Sequence, residues 1–524
     1  MPAPEYAAVH RARGKDSRMN PPHEPPQLAP ASDLPDGHTE TLDPADWGAL
    51  RALAHRAVDD ALDYLASRRE QPVWRATPDE VAARLRGPAP RAPQGAEQAY
   101  ADFVRDILPY QMGNTHPRFW GWYMGNGTAF GALADFLAAV VNPNMGGGNH
   151  VANLVELQVI DWCREMIGLP AEASGLLVSG ASMANVIGLA VARNALAAAD
   201  GIDVRADGVQ ALPARTTWYA SSEVHSCVQK ALELLGLGAR ALRKVPVNTA
   251  WQIDIAALAA MIAADRAAGL RPCAVIGTAG TINTGSVDDL AALAELCARE
   301  RLWFHVDGAI GAVLALSPAH AGLIAGIERA DSVALDLHKW LHVPFEAGCA
   351  LVRDRKAHRA TFALTPEYLA HQARGLASGA TWLSEYGVQL SRGFRALKVW
   401  LSFKEHGLER YGRLIDQNIA QARSLAALVR ADPELELMAP VVINIVCLRY
   451  NPGGLGEADL NALNAELLIR LHESGIAVPT YTTLNGSYCL RAAIANHRTR
   501  SDDLALFVAA VRRLGREVRA QQPA

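Results

Sequence analysis

Between about residues 170 and 355, short apolar runs alternate with segments of helical pattern, and this alternation constrains the fold more than any other feature. GLLVSG precedes an alanine-rich helical segment, CAVIGTAG precedes DDLAALAELCARERL, and WFHVDG follows that segment. Apolar runs without polar alternation are typical of strands that are buried on both faces by helices. The pattern therefore predicts an α/β domain with a mostly parallel sheet.

Polar side chains follow the predicted strands at the point where each strand ends. In a parallel sheet the carboxyl ends of the strands meet at one edge, which is where ligands bind. The residues at these ends are Ser179 to Ser182, His225, Thr281, Asp307 and Lys339. We therefore expect one site to be assembled from five strand ends.

Lys339 is the most informative of these residues. The chain has seven lysines and forty-three arginines, so arginine carries almost all of its positive charge. A desolvated lysine, unlike an arginine, can lose its proton and attack a carbonyl group. A lysine that extends from a strand end into solvent remains the alternative when the residue is taken alone.

The strand-end residues match what pyridoxal phosphate requires of a protein. That cofactor needs a lysine for a Schiff base, a carboxylate for its pyridine nitrogen, and N–H donors for its phosphate. Asp307 precedes Lys339 by 32 residues, which allows one helical crossover, and Ser182 lies at a strand-to-helix turn. His225 begins a helix, from which an imidazole could lie against the ring. Helix capping is the alternative for each of these residues in isolation.

Composition excludes several other classes of function. The net charge of −4 provides no global positive field for nucleic acid or acidic membranes. The seven cysteines are scattered without CxxC spacing, which favours a reducing cytoplasm over a disulfide framework or a zinc site. We expect no metal and no membrane span, because no apolar stretch reaches the roughly 18 residues that a span needs.

The length of 524 residues predicts more than one domain. Residues 1–40 are Pro-rich and are expected to be disordered, and residues 41–105 form an N-terminal helical segment. One face of that segment is apolar and must pack on its own core or on a second subunit. Residues 106–405 are predicted to form the large domain, with a long helix at 387–407, and residues 406–524 a smaller α+β domain.

The order of SGASMAN, HSCVQKA, GTAGTINTGSVDDL, HVDGAIGA and DLHKW resembles the group II pyridoxal-phosphate-dependent amino acid decarboxylases. This family includes the aromatic amino acid and glutamate decarboxylases. The resemblance extends through HPRFWGWYMG and CLRAAIAN and covers about residues 45 to 515. It implies fold type I, the aspartate-aminotransferase-like fold, and a homodimer whose active sites lie at the subunit interface.

The resemblance also implies a role for each matching position. Lys339 would form the Schiff base, Asp307 would pair with the pyridine nitrogen, and His225 would stack over the ring. The remaining cofactor contacts would be Ala309 under the ring, Ala181 and Ser182 at the phosphate, His338 beside it, and Thr281 near the ring oxygen.

Four further positions match residues that act on the substrate. Tyr368 matches the tyrosine of a mobile catalytic loop and would protonate the substrate carbon after carbon dioxide leaves, a task that His225 could also perform. Trp122 and Tyr123 match an aromatic substrate segment. Arg491 matches an arginine that contacts the substrate carboxylate in some members, and a structural ion pair is its alternative.

The predicted function is decarboxylation of an L-amino acid to the amine and carbon dioxide. An aromatic substrate is favoured over an acidic one. An acidic substrate, an aldehyde-forming oxidative decarboxylase, another fold-type-I lyase and a non-catalytic binding module remain as alternatives. One departure concerns Asp336, which stands where aromatic decarboxylases usually have asparagine. Because a carboxylate that faces a phosphate is repelled, we expect Asp336 to turn away from the site.

Overall fold

The computed structural model describes residues 41–364, 372–379 and 381–521. The chain divides into two compact units, Met1–His55 and Arg56–Ala524. In the first unit, residues 41–55 are described and include the start of the first helix, where Asp46 Oδ1 accepts the N–H groups of Gly48 and Ala49 at 2.7 and 3.1 Å. These two bonds satisfy donors that a helix N-terminus leaves without intrahelical partners.

Fifteen α-helices lie in the part of the chain that the structure describes. They are α1 (Trp47–Ala66), α2 (Asp79–Leu85), α3 (Ala96–Asp102), α4 (Ala129–Val141), α5 (Val151–Met166), α6 (Ala181–Ala199), α7 (Val204–Asp207), α8 (Ser226–Leu234), α9 (Ile255–Ala267), α10 (Leu290–Glu300), α11 (Arg355–Phe362), α12 (Arg395–His406), α13 (Leu408–Ala431), α14 (Glu457–Glu473) and α15 (Ser501–Gln521).

The same residues form eleven strands. They are β1 (Ser174–Val178), β2 (Thr216–Ser221), β3 (Leu242–Val245), β4 (Arg271–Thr278), β5 (Trp303–Asp307), β6 (Ser332–Asp336), β7 (Gly348–Val352), β8 (Leu435–Leu437), β9 (Ile445–Tyr450), β10 (Thr480–Leu484) and β11 (Ser487–Ala493).

Seven strands form one sheet in the order β1-β7-β6-β5-β4-β2-β3. Strands β3, β2, β4, β5 and β6 pair in parallel, whereas β7 runs antiparallel to both β6 and β1. Strand β1 therefore points in the same direction as β6. All of the parallel strands end at one edge of the sheet, and β1 ends there too, so the predicted mostly parallel sheet is confirmed.

Helices cover this sheet, which explains why its strands lack polar alternation. Every residue of β1, β6 and β7 is buried. Helix α6 packs against β6 and β7, while α10 packs against β4 and β5. Among the described helices, only α6 has the length and apolar composition of a membrane span, and 56% of it is buried inside the protein.

The four remaining strands form an antiparallel sheet in the order β10-β11-β9-β8. Helices α13, α14 and α15 pack against this sheet, and α15 also packs against α13 and α14. Their shared core includes Val446, Leu490 and Phe507, each of which is buried. Most of the apolar stabilisation of this part of the chain comes from such burial, at roughly 25 cal/mol per Å² of apolar surface.

The predicted helix at 387–407 is wrong in its first half, because α12 begins only at Arg395. The backbone N–H of Arg392 donates to Asn144 Oδ1 at 3.2 Å, and its carbonyl accepts the N–H of Met145 at 2.9 Å. The Arg392 side chain is buried and forms an ion pair with Glu156. These contacts take the backbone groups that a helix would need and hold the segment in an extended, irregular path.

Candidate active site

A cavity of about 370 Å³ opens at the sheet edge where the parallel strands end. We call it the catalytic cavity. It is lined by residues that end or follow β1, β2, β4, β5 and β6: Ser179, Gly180, Ala181, Ser182, His225, Cys227, Thr278, Gly280, Ile282, Asp307, Ala309, Ile310, Asp336, His338, Lys339, Phe345 and Glu346. The structure thus brings together chain segments that are far apart in sequence, as the strand-end argument predicts.

Lys339 lies three residues beyond β6 and forms an ion pair inside this cavity. Its Nζ is 3.0 Å from Oδ2 of Asp336, the last residue of the strand. Oδ1 of the same carboxylate accepts the N–H of Ala181 at 2.7 Å, at the start of α6. The expectation that Asp336 turns away is therefore wrong. The lysine ammonium group and the positive end of a helix both attract the carboxylate inward.

Asp307 ends β5, the strand that neighbours β6, and its carboxylate is buried. Oδ1 accepts the N–H of Ala309 at 3.1 Å, and Oδ2 lies 3.9 Å from the Cys227 thiol, which is its donor. Burial raises the pKa of Asp307, while the nearby charge of Lys339 acts in the opposite direction. A buried carboxylate in this setting stays ionised best beside a positive partner.

His225 precedes α8 and is exposed toward the catalytic cavity. Its Nδ1 accepts the N–H of Cys227 at 3.3 Å, so the neutral ring carries its proton on Nε2. Desolvation lowers the pKa of His225, and Asp307 opposes this shift. The histidine is therefore a neutral donor at neutral pH, with Nε2 available for a bound group.

Gly180 and His338 shape the side of the cavity next to α6. A Cβ at Gly180 would lie 3.2 Å from His338 Cε1 and 3.4 Å from Asp336 Oδ1. The His338 ring centroid is 4.4 Å from that of Phe345, and its Nδ1 is 2.9 Å from the carbonyl oxygen of Ala347. A side chain at position 180 would thus crowd His338 and Asp336.

Thr281 does not line the catalytic cavity. Its Oγ1 lies 3.1 Å from Thr284 Oγ1 and accepts the N–H of Ser286 at 3.1 Å. The hydroxyl group is thereby used inside its own turn. Tyr368 lies outside the described residues.

The three predicted substrate residues lie close together, and none of them is among the residues that line the catalytic cavity. Trp122 is exposed, while Tyr123 is buried with its hydroxyl 3.1 Å from Asn444 Oδ1. Arg491 is also buried: Nε donates to the carbonyl of Asn283 at 3.2 Å, and Nη1 donates to the carbonyl of Trp122. Arg491 therefore connects two loops through backbone carbonyls, and it forms no ion pair with a described carboxylate.

Seven lining residues were not among the predicted site residues: Cys227, Thr278, Gly280, Ile282, Ile310, Phe345 and Glu346. Thr278 is the last residue of β4, so the strand-end argument could have found it. Phe345 and Glu346 reach the cavity because the chain folds back after Lys339, and no sequence pattern signals that return. Within the described ranges, no cluster of three or more histidine, cysteine or acidic side chains could hold a metal ion.

Comparison with known proteins assigns the chain to a family. The model of the pyridoxal-dependent decarboxylase conserved domain matches residues 78–451. The chain belongs to the pyridoxal-dependent decarboxylase family. This membership confirms the predicted enzyme class, the predicted cofactor and fold type I.

Three relatives illustrate the similarity of this decarboxylase to known proteins. It is 33% identical over 478 residues to the aromatic-L-amino-acid decarboxylase of Bacillus atrophaeus, covering 90% of this chain and 97% of the relative. It is 29% identical over 477 residues to the phenylacetaldehyde synthase of Arabidopsis thaliana, covering 88% and 94%. A crystal structure of Oryza sativa TDC with PLP and tryptamine matches with a TM-score of 0.84 at 27% identity, covering 91% and 99%.

The catalytic cavity of this decarboxylase fits pyridoxal phosphate. It contains one lysine, one buried carboxylate at the end of the adjacent strand, and the first turn of a helix without a Cβ at Gly180. The hydroxyl group of Thr278 is buried there without a partner among the described residues. A buried polar atom of this kind is normally satisfied, so it is a ready contact for a bound polar ligand.

Proposed function

We propose that this decarboxylase converts an L-amino acid with an aromatic side chain to the corresponding amine and carbon dioxide. The observation that carries the proposal is the position of Asp307, at the end of β5, and of Lys339, three residues beyond the neighbouring parallel strand β6, in the lining of one cavity. The named activity of the Bacillus atrophaeus relative and the tryptamine in the Oryza sativa structure support an aromatic substrate.

Within this proposal, Lys339 is the covalent attachment point for pyridoxal phosphate. Ala181, Ser182 and His338 hold the phosphate end, while Ala309 and His225 contact the ring and Asp307 keeps a proton on its nitrogen. When bound, the cofactor supplies an electron sink for the charge left on the substrate carbon. Thr281 does not line the cavity, and in this proposal it stabilises the turn that follows β4.

The reaction needs a group that returns one proton to the substrate carbon. We assign this task to Tyr368, with His225 as the alternative, since its Nε2 proton faces the catalytic cavity. A positioned acid of this kind typically contributes 10²- to 10⁴-fold to a rate. Tyr368→Phe should therefore lower kcat with little change in cofactor binding, whereas loss of cofactor would assign the tyrosine a structural role.

The charges around the cavity favour an aromatic over an acidic substrate. No arginine is among the described lining residues, whereas Asp307, Asp336 and Glu346 are. Arg491 uses Nε and Nη1 on backbone carbonyls. A second carboxylate on the substrate would thus meet negative charge, while Ile282, Ile310 and Phe345 provide apolar surface. Trp122 and Tyr123 are proposed to add aromatic surface to the substrate site.

An aldehyde-forming reaction is the second candidate, because the phenylacetaldehyde synthase relative spans nearly the whole chain. The two reactions consume the same substrate and differ in their products. Oxygen uptake and hydrogen peroxide release would accompany the aldehyde, whereas simple decarboxylation yields the amine without either. The presence of Tyr368, as the proposed proton donor, favours the amine.

The first test is spectroscopic. The purified protein should show a visible absorbance band of bound pyridoxal phosphate, and borohydride reduction followed by peptide mapping should fix the label on Lys339. Lys339→Ala should abolish the band, while Lys356→Ala, at an exposed lysine, should retain it. Carbon dioxide release should then be faster with aromatic than with acidic amino acids. Absence of the band after incubation with the cofactor would overturn the proposal.

We also propose a homodimer, in which residues 41–105 form an interface segment, residues 106–405 the cofactor domain and residues 406–524 the smaller domain. The supporting observation is exposed apolar surface on two helices: Val58 and Leu62 on α1, and Phe136, Val140 and Val141 on α4. Such surface is unusual in a monomer. Sedimentation should give twice the chain mass, and a monomer at micromolar concentration would contradict the proposal.

Localisation in the cytoplasm is part of the same proposal. All seven cysteines are free and buried, which suits a reducing compartment. Fractionation of cells that produce the protein should recover it with the cytoplasmic markers.

A further inference from the structure

A second cavity, of about 360 Å³, lies outside the catalytic cavity and is rich in arginine. We call it the arginine cavity. It lies between the end of α1 and the loop that precedes α15, and it shares no lining residue with the catalytic cavity. Its lining comprises Leu65, Ala66, Arg68, Arg69, Pro117, Gln417, His497, Arg498, Thr499 and Arg500.

The positive charge around this cavity exceeds the negative charge that faces it. Asp503 is the carboxylate found there, and it is already bound by Arg69 at 2.8 Å and by Arg118 at 3.4 Å. It also accepts the backbone N–H of Arg500 at 2.8 Å. Arg68, Arg498 and Arg500 form no ion pair with any carboxylate in the described part of the chain. Three arginines thus line one cavity without a carboxylate partner.

Arg68 is buried and Arg498 is half-buried, and neither has a carboxylate partner among the described residues. Arg68 donates to Gln71 Oε1 at 2.8 Å, and its buried Nε has no partner among the described residues. Burial and the nearby charge of Arg68 lower the pKa of Arg498 to about 10. Desolvated cations that repel one another destabilise the fold unless an anion lies between them. His497 does not add to the charge, because burial and Arg498 lower its pKa to about 4.

The arginine cavity is connected to the backbone around Lys339. Arg498 donates to the carbonyls of Asn126 and Gly127 at 3.1 and 3.2 Å. In the same segment, a Cβ at Gly125 would overlap the carbonyl oxygen of His338, so this backbone packs directly on the turn that carries Lys339. An anion held by Arg498 would therefore order a segment that supports the catalytic lysine.

We propose that the arginine cavity is a binding site for a small, multiply charged oxyanion of the phosphate type. Guanidinium groups bind such oxyanions through parallel N–H donors, and the cavity volume suits an isolated phosphate or a small phosphorylated molecule. The site is distinct from the proposed phosphate contacts at α6, so both can be filled at once. The inference does not depend on the substrate or on the reaction that the catalytic cavity performs.

Titration calorimetry with inorganic phosphate tests the site. The protein should be saturated with pyridoxal phosphate beforehand, so that the catalytic cavity cannot take up the probe, and the buffer should contain no other oxyanion. We expect one phosphate per chain, and an increase in Tm that potassium chloride at equal ionic strength does not reproduce. Pyrophosphate distinguishes the source: tighter binding than phosphate indicates a phosphorylated ligand, and equal or weaker binding indicates the free ion.

Arg500→Gln is the decisive variant, since this side chain is exposed and supports no ion pair in the described structure. It should weaken phosphate binding about tenfold or more, which corresponds to about 1.4 kcal/mol. Arg413→Gln, which removes an exposed arginine from the second turn of α13, is the matched control and should change binding less than twofold. No saturable phosphate binding, or an equal loss in both variants, would overturn the proposal, because general charge screening would then explain the effect.

Discussion

Replacing Asp336 with asparagine separates the charge of this side chain from its shape. In the structure, Oδ1 accepts the N–H of Ala181, and Oδ2 lies 3.0 Å from Nζ of Lys339. Asparagine can keep the first contact through its own oxygen, while its uncharged amide nitrogen takes the place beside the lysine. The variant therefore removes one negative charge from the catalytic cavity with little change in packing.

The removed charge opposes cofactor binding in two ways. In the proposed function, the ammonium charge of Lys339 is lost when the lysine attaches to pyridoxal phosphate, and its attraction to Asp336 is lost with it. At the observed 3.0 Å, two unit charges attract by about 5 kcal/mol at an effective dielectric constant of ~20. The Lys339 side chain is 21% exposed, so solvent screening and desolvation reduce this to roughly 1–3 kcal/mol. Repulsion between the carboxylate and the phosphate acts in the same direction.

We therefore expect Asp336→Asn to bind pyridoxal phosphate about 10- to 100-fold more tightly than the wild-type protein. The measurement is a titration of cofactor-free protein at fixed pH and ionic strength, followed by the absorbance of the bound cofactor. Asp354→Asn removes a carboxylate that caps α11 on the surface and should leave the affinity unchanged. Equal or weaker binding by Asp336→Asn would refute the reasoning, since the carboxylate would then support the bound cofactor.

Three further predictions concern the stability of the fold. Arg392→Met should lower the free energy of unfolding by about 3–5 kcal/mol, because it leaves the buried Glu156 without its partner; urea titration measures this, and a loss under 1 kcal/mol would contradict it. Gly125→Ala should reduce both stability and cofactor retention, since a Cβ there overlaps the carbonyl oxygen of His338, whereas Gly454→Ala, in open space, should affect only stability. Burial lowers the pKa of three histidines to between about 3 and about 4, namely His116, His305 and His358. Below pH ~6.5 the unfolded chain therefore binds protons that the folded chain does not. The free energy of unfolding should decrease as the pH is lowered, by up to about 1.4 kcal/mol per pH unit for each histidine. His305→Gln should reduce the proton uptake on unfolding by about one proton at pH 5 and by about half a proton at pH 6.5, and an unchanged slope would contradict this.

The positions of Lys339 and Asp307 were predictable from the sequence for a local reason. Strands β5 and β6 are buried along almost their whole length, so each leaves a short apolar run that ends in a polar residue. The end of such a run fixes the place of Asp307 and Lys339 along the chain. The parallel direction of the two strands then places both residues at one edge of the sheet. Nothing beyond local patterning and a general rule of sheet geometry was needed.

The predictions that failed depend on polar partners far away in the chain. Asp336 faces inward because of the N–H of Ala181, which is 155 residues away, and the repulsion argument considered only a phosphate. The segment before α12 is irregular because Arg392 binds Glu156, which is 236 residues away. Hydrophobic periodicity does not reveal such pairs, because each partner alone looks like an ordinary surface charge. A buried charge requires a partner, however, so the sequence positions where local patterning fails are those where long-range polar contacts decide the structure. For this decarboxylase, one of those positions, Asp336, lies 3.0 Å from Lys339, so the charge of Asp336 is the feature that most needs measurement.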